Sequence, residues 1–308
     1  MSATSIQWTD KVWNPTRGCS RVSAGCDNCY AMRQARRFDF PGGAYEGLTR
    51  VGSRGVDWSG KVRLVLEALD EPLRWRKPQR VFVNSMSDLF HETLRGADIG
   101  RVFGVMATSP QHTFQVLTKR PQRMLDLLHP DVIGPLKGEA CQAVYEIELR
   151  RGEKGPANRF VLDWPLPNVW LGVSVEDQKT ADERIPLLLQ TPAAVHFVSY
   201  EPALGPAHFS RWFCQNPSDP DHLHLASLNW VIVGGESGPG ARPFDVAWAR
   251  ETVRQCREAG VAVFVKQLGA EPFDSEGRCN AHIAQIEDSK GGDPAEWAED
   301  LRVREFPA

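Results

Sequence analysis

Short apolar runs alternate with amphipathic stretches along most of the chain. The runs Arg80-Val81-Phe82-Val83-Asn84, Thr113 to Thr118, Val169 to Ser174, Val195 to Ser199, Trp230 to Gly234 and Val261 to Lys266 are rich in β-branched and aromatic residues. They are nearly continuous in apolar character, as strands buried on both faces are, and this predicts a parallel sheet. A further short strand is expected near Lys11 to Asn14. Helical periodicity falls between the runs, at Ile99 to Thr108, Gln122 to Leu128, Gln178 to Leu189 and Val246 to Ala259. Strands alternating with helices at these spacings read as repeated βαβ units of an α/β protein.

Polar residues recur after every run: Asn84, Ser85 and Asp88; Thr118, Lys119 and Arg120; Ser174, Glu176 and Asp177; Ser199, Tyr200 and Glu201; Gly235, Glu236 and Ser237; Lys266 and Gln267. An open doubly wound sheet needs such residues only at its switch point, whereas a barrel gathers all its strand ends at one mouth. The expectation is therefore a partial (β/α) barrel of about six to seven parallel strands occupying residues 1–273. Residues 130–168 break the rhythm and read as an insertion between strands 3 and 4, with a helix-like piece at Ala140 to Arg150, serving as a lid or docking element. Residues 38–60 read as a long loop, and 274–308 as a peripheral C-terminal appendage.

Composition changes this picture little. The chain has 308 residues, 42% hydrophobic and 24% charged, an ordinary globular balance. It has no run of about 18 apolar residues, so no membrane-spanning helix is expected. Residues 1–5 lack the basic and apolar regions of a secretion signal. Seven cysteines, four of them scattered, fit a reducing cytoplasm better than a disulfide scaffold. The net charge of −3 hides an asymmetry: residues 1–130 carry 19 Lys+Arg against 12 Asp+Glu (+7), and the remainder 17 against 27 (−10). Arg33, Arg36 and Arg37, with Arg74, Trp75, Arg76 and Lys77, form two basic stretches. Each alone reads as a solvated surface; together they raise a nucleic-acid partner as a possibility.

The other three cysteines supply the most specific chemistry. Cys19, Cys26 and Cys29 share one loop with the spacing C-x6-C-x2-C, flanked by Gly18 and Gly25. A structural zinc site wants four closed ligands, and no fourth stands at standard spacing here. Three thiolates suit an iron–sulfur cluster with one iron left open. Buried structural thiols do not gather in a polar Gly/Asp/Asn loop. Zinc remains the rival.

A cysteine trio after the first strand, followed by about six βα units, resembles the radical S-adenosylmethionine superfamily. The segments Trp13-Asn14-Pro15-Thr16-Arg17-Gly18-Cys19, Asn84 to Phe90, Leu117 to Pro121, Trp170 to Glu176 and Gly234 to Gly238 are similar to a family of three-Cys-motif phage and bacterial proteins of unknown function grouped with those barrels. The similarity runs over roughly residues 6–270. It implies a [4Fe-4S] cluster on Cys19, Cys26 and Cys29, S-adenosylmethionine on the open iron, a 5′-deoxyadenosyl radical as the product of reductive cleavage, and a flavodoxin or ferredoxin as reductant. The first cysteine gap is six residues where the superfamily has three. Asn28 stands before the last cysteine, a position often aromatic, and Tyr30 follows it. A relative that binds a cluster without radical chemistry is compatible with both departures.

By position, the resemblance places cofactor contacts on Asn84, Ser85, Ser87 and Asp88 for the methionine amino group, on Ser174 and Glu176 for ribose and carboxylate, and on Gly234, Gly235 and Glu236 as a glycine-rich cradle offering backbone N–H groups. Capping of a helix by Ser87 or Asp88 is the plainer alternative. Lys119, Arg120, Glu201 and Lys266 are candidates for substrate contact, against the alternative of structural salt bridges. His222 and His224 read as surface residues, and Trp8, Trp13, Trp75, Trp164 and Trp170 as packing residues. The rival functions are a zinc- or cluster-stabilised nucleic-acid-binding protein and a barrel hydrolase built on the mouth carboxylates.

Overall fold

The computed structural model of the chain describes residues 4–52, 55–152, 162–214, 227–277, 283 and 286–307. These fall into two units: Met1–Arg21, Cys29–Leu171 and Gln190–Ala194 in the first, and Val22–Asn28, Gly172–Leu189 and Val195–Ala308 in the second. His222, His224 and Cys279 lie outside the described residues.

The first unit contains β1 (Lys11–Trp13), β2 (Thr16–Arg17), α1 (Tyr30–Arg37), β3 (Thr49–Gly52), β4 (Gly55–Trp58), β5 (Arg63–Leu64), α2 (Leu66–Leu69), β6 (Arg80–Val83), α3 (Gly96–Ala107), β7 (Thr113–Thr118), α4 (Pro121–Leu128), α5 (Gly134–Arg150) and the start of β8 (Val169–Val175). Its main strands lie in the order β1-β6-β7-β8. The register is parallel, Lys11 opposite Val81 and Arg80 opposite Thr113. Of two small antiparallel pairs, β3 with β4 lies inside residues 38–60, the region expected to be loop, and β2 with β5 lies outside it.

Trp13, Val81, Val83, Phe114 and Val116 are fully buried, which accounts for the unbroken apolar runs. The Trp13 indole N–H donates to the Ala68 carbonyl at 2.7 Å. A separate apolar cluster forms where α1 places Ala31, Met32 and Ala35 against Tyr45, Leu48, Trp58 and Met86. Within the expected insertion, α5 begins at Gly134 rather than Ala140. Pro135 in its first turn costs nothing, because an N–H there has no intrahelical partner. α5 lies tight on α3: a Cβ at Gly104 would stand 2.6 Å from that of Ala143, so only a small-residue stripe permits the approach.

The second unit holds the rest of β8, α6 (Gln178–Leu189), β9 (Val195–Tyr200), β10 (Trp230–Gly234), β11 (Phe244–Asp245), α7 (Val246–Ala259), β12 (Ala262–Gln267) and β13 (Pro272–Phe273). Its main order is β8-β9-β10-β12, with parallel register Trp230–Phe197 and Trp230–Ala262. In both units the main strands advance in one direction along the chain, whereas a doubly wound sheet would reverse at a switch point. The fold is thus α/β with seven parallel main strands.

Residues 297–306 pack into this unit. Trp297 and Leu301 are buried, Val265 N–H donates to Val303 O at 2.8 Å, and Glu305 N–H donates to Val263 O at 2.9 Å. The tail therefore runs antiparallel beside β12 and covers backbone groups that an edge strand would expose. Among the described residues no helix is long and apolar enough to cross a membrane.

Trp297→Ala removes a fully buried indole whose N–H donates to Gly291 O at 3.1 Å. Chemical denaturation should show the second unit destabilised by about 3–5 kcal/mol. A loss below about 1 kcal/mol would mean that the tail is not part of that core.

Candidate functional site

The cysteine loop starts where β1 runs out. Asn84, the residue after β6, donates its N–H to Trp13 O at 2.8 Å and accepts from Thr16 N–H at 3.4 Å. It does so with φ of +63°, a conformation that asparagine tolerates better than other non-glycine residues. Asn84 is buried, and its side-chain Nδ2 has no hydrogen-bond partner among the described residues. Ser85 donates to Asn14 Oδ1 at 3.4 Å and its carbonyl accepts from the Tyr30 hydroxyl; Ser87 donates to Thr16 O at 2.8 Å. Gly18 follows with φ of +95°, pressed so closely on Lys61 that a Cβ would sit 2.0 Å from its carbonyl oxygen. Only glycine fits there, and Cys19 comes next.

Cys19 is half-buried beside a charged network in the first unit. Arg120 Nη1 lies 3.8 Å from Cys19 Sγ and donates toward it. The same guanidinium donates to Asp88 Oδ2 at 3.0 Å, to Glu92 Oε1 at 2.9 Å, and to Ser20 Oγ and O at 2.7 and 3.1 Å. Burial opposes its charge, but Asp88, Cys19 and Glu92 outweigh this and raise the guanidinium pKa. Asp88 accepts four hydrogen bonds, from Phe90 N–H, Thr118 Oγ1, Lys119 N–H and Arg120. It ties the end of β6 to the end of β7. His91 Nε2 meets Ser20 Oγ at 2.9 Å. Burial and the neighbouring Arg120 push its imidazole below the ordinary value, so the ring is neutral at pH 7.

Residues 22–28 belong to the second unit and are held by two carboxylates there. Val22 N–H donates to Cys26 Sγ at 3.5 Å. Ser23 Oγ donates to Glu176 Oε1 at 2.8 Å, and Gly25 lies against the same carboxylate, where a Cβ would be 2.3 Å from Oε1. Glu176 follows β8 and is 1% exposed; Arg184 on α6 pairs with it at 3.1 Å and donates to Ser174 O at 2.7 Å. Glu236, beyond β10, accepts from Asn28 Nδ2 at 2.9 Å and from Arg242 Nη2 and Nε at 2.7 and 2.9 Å. Burial works against ionisation of Glu236, but the bonds from Arg242 and Asn28 outweigh it and hold the carboxyl below the usual glutamate range.

The remaining candidates stand apart from the loop's direct contacts. Gly235 N–H donates to Gln267 O at 3.0 Å, and Gly234 O accepts from Ala203 N–H at 3.0 Å, so these glycines serve strand-end packing. Lys266 and Glu201 form an ion pair with each other. Cys29 precedes α1 and packs against its apolar cluster. Among the described residues, no three His, Cys, Asp or Glu side chains gather around one point as metal ligands. Cys19, Cys26 and Cys29 are half-buried thiols outside any disulfide. Trp8 and Trp13 are packing residues, as expected.

Sequence reasoning named Asp88, Arg120, Glu176 and Glu236 but missed their partners Ser20, Glu92, Ser23, Arg184 and Arg242, and it noted Asn28 only for its place before Cys29. Arg242 carried a signal, since it closes the Gly-Pro-Gly-Ala turn six residues after Glu236.

These features define an α/β protein whose cysteine loop follows the first strand and is fastened by buried charged residues at the strand ends. The chain belongs to the family described as Protein of unknown function (DUF5131), whose model matches residues 3–293. Comparison with curated proteins and with solved structures gave no match.

Glu236 has a depressed folded-state pKa, so its contribution is complete above the ordinary glutamate pKa and is lost as pH falls through the lower folded value. Glu236→Gln should therefore cost about 1.5–3 kcal/mol in denaturation at pH 7, the scale of charge-assisted hydrogen bonds. The gap from the parent chain should close on acidification toward about pH 3. A gap that stays constant with pH would show that the carboxylate charge contributes nothing.

Proposed function

We propose that the chain is a radical S-adenosylmethionine-type enzyme, its seven parallel strands forming a partial barrel and Cys19, Cys26 and Cys29 holding a [4Fe-4S] cluster. The observation that carries this reading is the trio itself: three half-buried thiols between positions 19 and 29, none in a disulfide. The donor set fits a cluster with one open iron better than it fits a closed four-ligand zinc site. Hydrogen bonds to sulfur, such as those from Arg120 to Cys19 and from Val22 to Cys26, are the kind that tune such clusters.

The orphaned Nδ2 of Asn84 suits S-adenosylmethionine in a specific way. It is a buried donor, and it matches a carboxylate oxygen of the methionine moiety rather than its ammonium. Asp88 has both oxygens engaged within the protein, which favours a positioning role for it over direct contact with the cofactor. When bound, the cluster and S-adenosylmethionine would supply one-electron reductive cleavage yielding a 5′-deoxyadenosyl radical. The chain's own residues would hold the loop, orient Cys19 and keep the strand ends dry. A flavodoxin or ferredoxin would serve as reductant.

Anaerobic reconstitution should give a brown protein with about four irons and four sulfides per chain, and turnover should release 5′-deoxyadenosine. Replacing Cys19, Cys26 or Cys29 by Ala should bleach it. Cys256→Ala should not, because Cys256 is fully buried and burial pushes its thiol pKa up. Stoichiometric zinc without sulfide would sink this reading in favour of a zinc-stabilised binding protein.

The substrate we infer is a nucleic acid. Residues 1–130 carry a net +7, and Arg36, Arg37, Arg74, Arg76 and Lys77 are exposed. DNA or RNA affinity should fall steeply with salt, and the salt slope should shrink by about two when Arg36 and Arg37 both become Ala. Absence of binding at about 50 mM salt would remove the nucleic acid while leaving the cluster reading intact.

A further inference from the structure

We propose that Arg120 is a positioning residue: its guanidinium grips the chain at Ser20 and sets Cys19 Sγ in place. Arg120 had been a candidate for substrate contact, yet the geometry leaves it no donor for one. A guanidinium has five N–H groups. Nε donates to Glu92, Nη1 is shared between Asp88 and Cys19 Sγ, and Nη2 holds both the carbonyl and the hydroxyl of Ser20. The side chain is 5% exposed.

Orientation comes from Asp88. That carboxylate is buried and fixed by Thr118 Oγ1 and two backbone N–H groups, so the pair Asp88–Arg120 is rigid before the loop is added. Glu92 contributes less, since its side chain is 61% exposed and screened by solvent. The planar fork then presents its Nη1 edge to Cys19 and its Nη2 end to Ser20. His91 completes the grip by meeting Ser20 Oγ from another direction. A point-charge ammonium could keep the Asp88 pair but could not reach Ser20 and Cys19 at the same time. In the cluster reading, on which this part of the inference rests, a guanidinium N–H directed at a ligating sulfur stabilises the reduced, more negative cluster and raises its reduction potential.

The test compares the full-length parent with Arg120→Lys, Arg120→Gln and the double variant Asp88→Asn/Arg120→Gln. Hydrogen–deuterium exchange on the metal-free chain reads the grip, independently of any cluster. Amides of residues 19–22 should exchange about tenfold faster in Arg120→Lys, as expected for loss of one charge-assisted hydrogen bond of roughly 1.4 kcal/mol. A merely structural ion pair would be rescued by lysine, so parent-like exchange in Arg120→Lys overturns the inference. The double variant, which leaves no unpaired buried charge, should show the same acceleration if Arg120→Gln fails to fold. On the reconstituted protein, chelator should strip iron about tenfold faster from Arg120→Lys, and the midpoint potential should move to more negative values. Unchanged stripping and potential would overturn the role toward the sulfur. If the parent chain binds no iron, the cluster reading fails by itself, and the exchange data alone decide whether Arg120 holds the loop.

Discussion

Taking a guanidinium or carboxylate out of water costs several kcal/mol unless each charge finds a partner and its remaining hydrogen-bonding groups are satisfied. Arg120, Asp88, Arg184, Glu176 and Glu236 are all buried, and each stands against a residue of opposite charge. Their pairing is the constraint on which the cysteine loop depends. Between Gly18 and Tyr30 the chain forms only one short 3₁₀ turn, Ala24–Cys26, and could not hold a shape through its own backbone bonds. Side-chain charges do this instead, Arg120 on Ser20 in the first unit, and Glu176 and Glu236 on Ser23 and Asn28 in the second.

Such an arrangement makes the loop conditional on residues far from it in sequence. The contacts join positions 101, 153 and 208 residues apart, for Cys19 with Arg120, Ser23 with Glu176 and Asn28 with Glu236. It also places strict size limits on two glycines. At Gly18 a side chain would strike Lys61, and at Gly25 it would strike the carboxylate that holds Ser23. Both restrictions protect the approach of the loop to its supports rather than its flexibility.

Much of the main fold was legible in the sequence, because strands such as Arg80–Val83 and Trp230–Gly234 are buried on both faces and so spell unbroken apolar runs. Gln178–Leu189 and Val246–Ala259 were legible to the residue. Asp177 caps the first by accepting from Thr180 N–H, and Asp245 caps the second by accepting from Ala247 N–H. The helix Tyr30–Arg37 was not legible: its buried face is only Ala31, Met32 and Ala35, and Cys29 makes no side-chain cap bond. The two-residue pairing of Thr16–Arg17 with Arg63–Leu64 is too short to carry a period. In the site, cysteine spacing and strand-end position identified the acids and thiols. Their partners stayed hidden because an ion pair between distant positions leaves no local pattern.

The pairing of residues 303–305 with β12 bears on how the second unit is assembled. Arg304 donates to the Lys266 carbonyl across 38 positions of chain, a separation close to that of the strand pairings Trp230–Phe197 and Trp230–Ala262. Loop-closure cost grows only slowly with length, so the tail has neither head start nor handicap against those pairings. Until it docks, the row of backbone groups that it covers on β12 can accept any extended strand that arrives first. The tail is thus this edge's own occupant, filling from within the chain a place that a stray strand from another molecule could otherwise take.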